Sequence, residues 1–272
     1  MIGPLCYVGG KRRVAKQIVA LLPSHTTYVE PFAGGAQVLF HKPPSRVEVL
    51  NDIDGDIVNF FRVCQLHAGE LERWMTFTVA SRQLHRWYLA QDPTLLTDVQ
   101  RAARFLYLQK NSFGGLIRKR AYHYAVTKRS NFDPRRIASV VRATADRLAS
   151  VQIESLPYEQ VLAKYDRPTT LFYLDPPYVG RRLYRFNFTD EDFVGLADQL
   201  TRLRGRFLLS INDCALSRRL FADFHCRELR VAYTASRRVP TVTELLFSNY
   251  PWPSAATDAP PSIPSSLTSH TL

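Results

Sequence analysis

At 272 residues, with 46% hydrophobic and 22% charged residues, the chain can bury a full core as one large domain or one domain carrying an insertion. The formal charge of +12 favours a polyanionic partner, and nucleic acid ahead of membrane, because no apolar run reaches the roughly 18–20 residues of a transmembrane helix. Cys6, Cys64, Cys214 and Cys226 are scattered and the seven histidines have no metal-ligand spacing, so neither a disulfide frame nor a metal is expected; Met1-Ile2-Gly3-Pro4 is no secretory signal, which points to the cytoplasm.

Tyr7-Val8-Gly9-Gly10-Lys11 precedes a helical run from Val14 to Leu22. A glycine pair there is either a plain N-terminal turn or part of a segment that closes over a ligand. Tyr28–Phe32 reads as a strand, followed by a glycine turn at Gly34-Gly35 and an apolar run through Phe40. Glu30-Pro31-Phe32-Ala33-Gly34-Gly35 is similar to the loop after the first strand of a Rossmann-like nucleotide site, where missing side chains let a ligand approach the backbone. A second strand, Val47–Leu50, ends in Asn51-Asp52-Ile53-Asp54 before Ile57 and Val58. An acid at such a strand end, roughly 20 residues past the glycine loop, can accept hydrogen bonds from ribose hydroxyls. Asp52 has that position; Asp54 and Asp56 are its rivals, although Asp56 suits the first turn of the next helix.

The character changes between residues 60 and 150. Leu71 to Leu89, Val99 to Leu108 and Ile137 to Leu148 read as helical, and the segment holds 13 Arg and 3 Lys against 6 acidic residues. Its net charge of +10 is nearly all of the chain's excess, which marks a helical insertion that reads DNA. A solvated helical lid is the plainer alternative.

Leu171–Leu174 is a third strand, ending at Asp175-Pro176-Pro177-Tyr178. Two prolines fix φ and donate no hydrogen bonds, so the turn is stiff and its carbonyls are acceptors. A carboxylate beside such a carbonyl can hold both hydrogens of an aromatic amine, and a tyrosine ring gives a displaced base a face to stack on. Arg181, Arg182 and Arg185 follow, either meeting phosphates or forming a solvated loop. Phe207–Ile211 and Glu244–Ser248 complete the strands; Ser210-Ile211-Asn212-Asp213 either lines a base pocket or caps the next helix, with the cap favoured. Short apolar runs of this kind suit buried parallel strands in a doubly wound α/β sheet, with ligands at the strands' carboxyl ends. The Pro- and Ser-rich stretch 251–272 should be a disordered tail.

In this order the motifs resemble those of the Dam-type (class alpha) DNA adenine N6-methyltransferases, with their phage and prophage relatives, from about Tyr7 to Tyr250. The resemblance implies a Rossmann-like S-adenosylmethionine-dependent methyltransferase sheet formed by residues 1–59 and 151–250, with a mostly helical target-recognition domain inserted at 60–150. It implies transfer of a methyl group from S-adenosylmethionine, without a metal, to the N6 amine of a flipped adenine in double-stranded DNA, by a monomer or weak dimer that is part of a restriction-modification pair or an orphan. Residue by residue, it gives Tyr7, Gly10, Lys11, Phe32, Gly34, Gly35, Asp52 and Asp175 to the cofactor. Asp175, Pro176, Pro177 and Tyr178 carry the chemistry. Phe105–Leu108 and Gly115–Arg118 match the recognition hairpin and its entry, and Arg118, Lys119, Arg120, Lys128 and Arg129 contact DNA. Arg118 is the candidate for a guanine edge, or else another phosphate contact. Residues 109–114 and 122–127 depart from the enterobacterial pattern, so GATC is not carried over as the target. A cytosine N4-methyltransferase would use the same amine chemistry but more often shows Ser before Pro-Pro-Tyr. A catalytically silent DNA-binding regulator would be expected to lose Lys11, Asp52, Asp175 and Tyr178, all of which are present.

Overall fold

The computed structural model describes residues 3–5, 10–112, 121–122, 132–232 and 241–253. Tyr7, Arg118, Lys119, Arg120, Lys128, Arg129 and the tail beyond 253 lie outside the described residues.

The apolar runs pair into one sheet: β1 (Thr27–Glu30), β2 (Val47–Asn51), β3 (Gln152–Glu154), β4 (Thr170–Leu174), β5 (Arg206–Asn212), β6 (His225–Ala232) and β7 (Thr241–Ser248). Their order is β3-β2-β1-β4-β5-β7-β6. The first five run parallel to one another, whereas β7 runs antiparallel to both β5 and β6. The expectation of parallel strands throughout is therefore corrected at Glu244–Ser248. β7 is joined to β6 as an antiparallel pair, which needs no crossover helix. β1 also stops two residues short of the expected Phe32, since Pro31 cannot donate to a ladder.

Helices cover both faces: α1 (Ala15–Val19), α2 (Gln37–His41), α3 (Gly55–Leu66), α4 (Ala68–Thr76), α5 (Arg82–Ala90), α6 (Asp98–Asn111), α7 (Pro134–Leu148), α8 (Tyr158–Tyr165), α9 (Asp190–Thr201) and α10 (Ala215–Leu220). The run from Leu71 to Leu89 is two helices because Ser81 starts a new one, its side chain accepting from the amide of Leu84. Alternation along the strands divides the core. Tyr28, Leu50, Tyr173, Leu208 and Leu246 pack with α1, α2, α3, α6 and α7. Val29, Val49, Phe172, Leu209 and Phe247 pack with α8, α9 and Phe221. No described helix is long and apolar enough to cross a membrane.

Residue 60, the expected start of the insertion, falls inside α3, whose buried Phe60, Phe61, Val63 and Cys64 form one continuous apolar stripe. Leu71, Met75, Phe105 and Val141 from the following helices belong to the same cluster as Leu50 and Tyr173 of the sheet. α7 is also tied directly to the sheet, Arg147 bonding the carboxylate of Glu48 at 2.5 Å and the carbonyl of Leu39 at 3.0 Å. Phe105, Leu106, Tyr107 and Leu108 are fully buried in α6 and so are core, not hairpin. Beyond them Ser112 and Tyr122 form an antiparallel bridge, which brings together the ends of the segment that carries Arg118.

Candidate active site

Strand order reverses between β1 and β4, and the connections from their carboxyl ends leave in opposite directions. Such a switch point opens a crevice at the strand ends. Here it is a cleft of about 790 Å³, part of it open to solvent. Gly10, Lys11, Phe32, Gly34, Gly35, Asp52 and Asp175 all line it, as does Pro177, while Pro176 is buried behind.

The loop after β1 is shaped by its own backbone. Gly34 (φ 49°) and Ala36 (φ 48°) are left-handed, a conformation that glycine adopts freely and alanine does not. The Ala36 amide donates to the Ala33 carbonyl at 2.6 Å, which tightens the turn into α2. Asn51, the last residue of β2, anchors the loop by donating to the Pro31 carbonyl at 2.9 Å, and it also receives the Leu156 amide at 2.8 Å.

Asp52 follows β2, and its carboxylate accepts the amides of Gly34 and Asp54, each at 2.9 Å. Burial nevertheless raises its pKa to about 7, against the opposing effect of those amides. Asp54 instead caps α3, accepting the Asp56 amide at 3.0 Å. Asp56 sits in the first turn of that helix and pairs with Arg101 at 2.6 Å. Glu30, at the end of β1, accepts the Tyr28 hydroxyl and the Leu39 amide, both at 2.8 Å. Its burial outweighs both bonds and pushes its pKa up to about 8.

Asp175 leaves β4 directly into the cleft. Its Oδ1 accepts from Lys11 Nζ at 2.7 Å, and the same ammonium donates to the Tyr178 hydroxyl at 2.6 Å. Tyr178 in turn donates to Glu244 Oε1 at 2.8 Å. Burial alone would lower the pKa of Lys11, but Asp175, Tyr178 and Glu244 together hold it well above the ordinary lysine value. The pair does not lower its acid correspondingly: burial raises Asp175 to about 6, Lys11 opposes this, and Glu244 adds to it. The asymmetry comes first from burial of Asp175 and then from one ammonium facing two carboxylates. Behind Tyr178, the Asn212 side chain grips Val179, accepting its amide at 2.9 Å and donating to its carbonyl at 3.3 Å. The Ser217 hydroxyl donates to the Asn212 carbonyl, and the cap of α10 is Cys214; the cap expected of residues 210–213 is corrected, since Ser210, Ile211 and Asn212 belong to β5.

Four contributors escaped the sequence reading. Glu244 and Tyr173 look like members of apolar strands, and Tyr184 and Phe188 line the far wall, where Phe188 meets the Phe32 ring edge-on at 5.6 Å between centroids. The one available signal was Glu244, a lone acid at the head of an apolar run. Arg185 lies 3.8 Å from both Asp54 and Asp56, so it faces protein carboxylates at the rim.

Comparison with known proteins adds a family. The family model of the D12 class N6 adenine-specific DNA methyltransferases matches residues 7–235. The type II methyltransferase M1.LlaDCHI of Lactococcus lactis subsp. cremoris is 26% identical, covering 90% of this chain and 94% of its own. The retron Ec67 DNA adenine methylase of Escherichia coli is 25% identical over 81% of this chain and 80% of its own. The DNA adenine methylase of Salmonella typhimurium is 25% identical over 94% and 97%.

Proposed function

The chain belongs to the D12 class N6 adenine-specific DNA methyltransferases, and from that premise we propose that it methylates the N6 amine of an adenine flipped out of duplex DNA, with S-adenosylmethionine as donor. The observation that carries this reading is the meeting of Asp175, the Gly34 loop and Asp52 in one cleft at the switch point. The cleft's chemistry suits the donor: four acidic side chains, Glu30, Asp52, Asp54 and Asp175, line a site for a ligand that bears an ammonium, a sulfonium and ribose hydroxyls. The Tyr173 hydroxyl, buried there, has no hydrogen-bond partner among the described residues and offers one to a ligand.

When bound, S-adenosylmethionine supplies an electrophilic methyl group. Asp52 would hold the ribose, Phe32 and the glycine loop would enclose the methionine part, and Gly10 and Lys11 would close the near side; Tyr7 is a further candidate for a cofactor contact. Asp175 and the Pro176 carbonyl would accept the two amine hydrogens of adenine, turning the nitrogen lone pair out of the ring plane. Tyr178 would stack on the base, its ring fixed through its hydroxyl. The enzyme's main contribution is orientation, which can be worth roughly 7–11 kcal/mol of barrier. The amine proton released on methylation can pass to Asp175 or to solvent.

For DNA, residues 60–150 serve as the recognition part and residues 1–59 and 151–250 as the catalytic part. Arg118, Lys119, Arg120, Lys128 and Arg129 read bases or hold phosphates, while the exposed Arg181 and Arg182 lie just beyond Tyr178 and suit phosphates near the flipped nucleotide. The enzyme works without a metal, as a monomer or weak dimer, in the cytoplasm of a bacterial or phage-infected cell. Asp175→Ala should cut methyl transfer to duplex DNA by about a hundredfold or more, with the melting temperature largely kept. Near wild-type transfer by that variant would sink the mechanism.

A further inference from the structure

We propose that Glu244 is a positioning residue: it holds Lys11 and Tyr178 from behind, so that the Lys11 ammonium is shared between two carboxylates and Asp175 keeps a strong acceptor for the incoming amine. This rests on the reading that Asp175 receives that amine.

Glu244 stands on β7 directly opposite Asn212 of β5, on the sheet face that also carries Ser210. Only 1% of its side chain is exposed. Oε1 takes the Tyr178 hydroxyl at 2.8 Å, and Oε2 lies 3.6 Å from Lys11 Nζ and 3.5 Å from Ser210 Oγ. A carboxylate this deep requires a compensating charge, and Lys11 is placed to give it. Lys11 is itself 3% exposed and lies closer to Asp175, at 2.7 Å, so the two acids compete for one cation. Asp175, at 22% exposure, is the member of the trio that faces the cleft.

Among the described residues, the charged and titratable groups that act on Asp175 are Lys11 before α1, Glu30 on β1, Tyr173 on β4, Tyr178 beyond it, and Glu244 on β7. Lys11 stabilises the ionised form of Asp175, and Glu244 opposes it. Removing the Glu244 charge while keeping its shape therefore takes one competing carboxylate away from Lys11 and strengthens its hold on Asp175. That makes Asp175 a weaker acceptor and easier to ionise.

The test is Glu244→Gln, in which a carbonyl still accepts from Tyr178, assayed with unmethylated plasmid DNA and S-adenosylmethionine. The acidic limb of its kcat–pH profile should move down by about half a unit or more. Its plateau kcat should fall about tenfold, with the KM for S-adenosylmethionine nearly unchanged. Glu244→Asp keeps the charge but shortens the reach, so it should leave the limb in place and still lower kcat. A folded Glu244→Gln with wild-type limb and plateau overturns the proposal. If Gln at 244 does not fold, wild-type kcat in Glu244→Asp overturns it instead. Should Asp175→Ala be inactive while the Glu244 variants behave as wild type, this inference alone fails; should Asp175→Ala remain active, the underlying reading fails.

Discussion

Asp52 and Asp54 are two residues apart, and their surroundings give them different work. Both line the cleft, but Asp54 caps α3 and lies beside Arg185, whereas Asp52, at the end of β2, holds the glycine loop through the Gly34 amide. Asp54→Ala should cost about 1 kcal/mol of stability, as loss of an N-cap does, with little change in cofactor affinity. Asp52→Ala should weaken S-adenosylmethionine binding about tenfold or more, the effect of losing hydrogen bonds to a charged group; calorimetry and melting on both variants would separate the two. Because the pKa of Asp52 is raised to about 7, its carboxylate is protonated below that value and ionised above it. A ligand that needs the ionised acceptor binds more tightly as pH rises, so affinity should increase from about pH 6 to about pH 8. Asp175, Asp52 and the glycine loop were legible because each stands where an apolar run breaks into polar or glycine residues. Glu244 was not, because its partners Tyr178 and Lys11 are distant in sequence and meet it only when β7 pairs with β5.

At the scale of elements, legibility followed burial. β4 and β5 announce themselves as apolar runs, their interiors buried on both faces. β3, three residues with a mostly polar make-up, sits at one edge of the sheet, and β6, which mixes polar and apolar residues, sits at the other. Neither carries the continuous apolar signal of an inner strand. The charge of residues 60–150 is legible in the sequence as a sum, but its distribution is not. Arg101 pairs with Asp56, Arg104 donates to the Tyr88 carbonyl, Arg142 pairs with Glu72 and Arg147 with Glu48. These arginines already have protein partners, so on the proposed function DNA contact falls first to the others. Arg118→Ala therefore bears on recognition: methylated-site sequencing should show relaxed preference at one base of the target, whereas uniform weakening across sequences would mark a phosphate contact.

For the whole molecule, the insertion and the sheet are continuous, because α3 crosses the expected boundary and the first core cluster spans both parts. Phe105 illustrates it, since it is 1% exposed and its ring lies 6.0 Å from that of Phe60. Phe105→Ala should cost about 3–5 kcal/mol, and denaturant unfolding followed by near-UV and far-UV signals should remain one coincident transition. Two separated transitions would mean that the helical part folds on its own. On the proposed function, a shared core of this kind would let residues 60–150 set the angle at which a flipped base meets Asp175. The most direct measurement is to methylate unmodified duplex DNA with the purified chain and isotope-labelled S-adenosylmethionine, then digest the DNA to nucleosides and identify the labelled one by mass spectrometry. The label should be in N6-methyladenine. Label in N4-methylcytosine, with adenine untouched, would contradict the account.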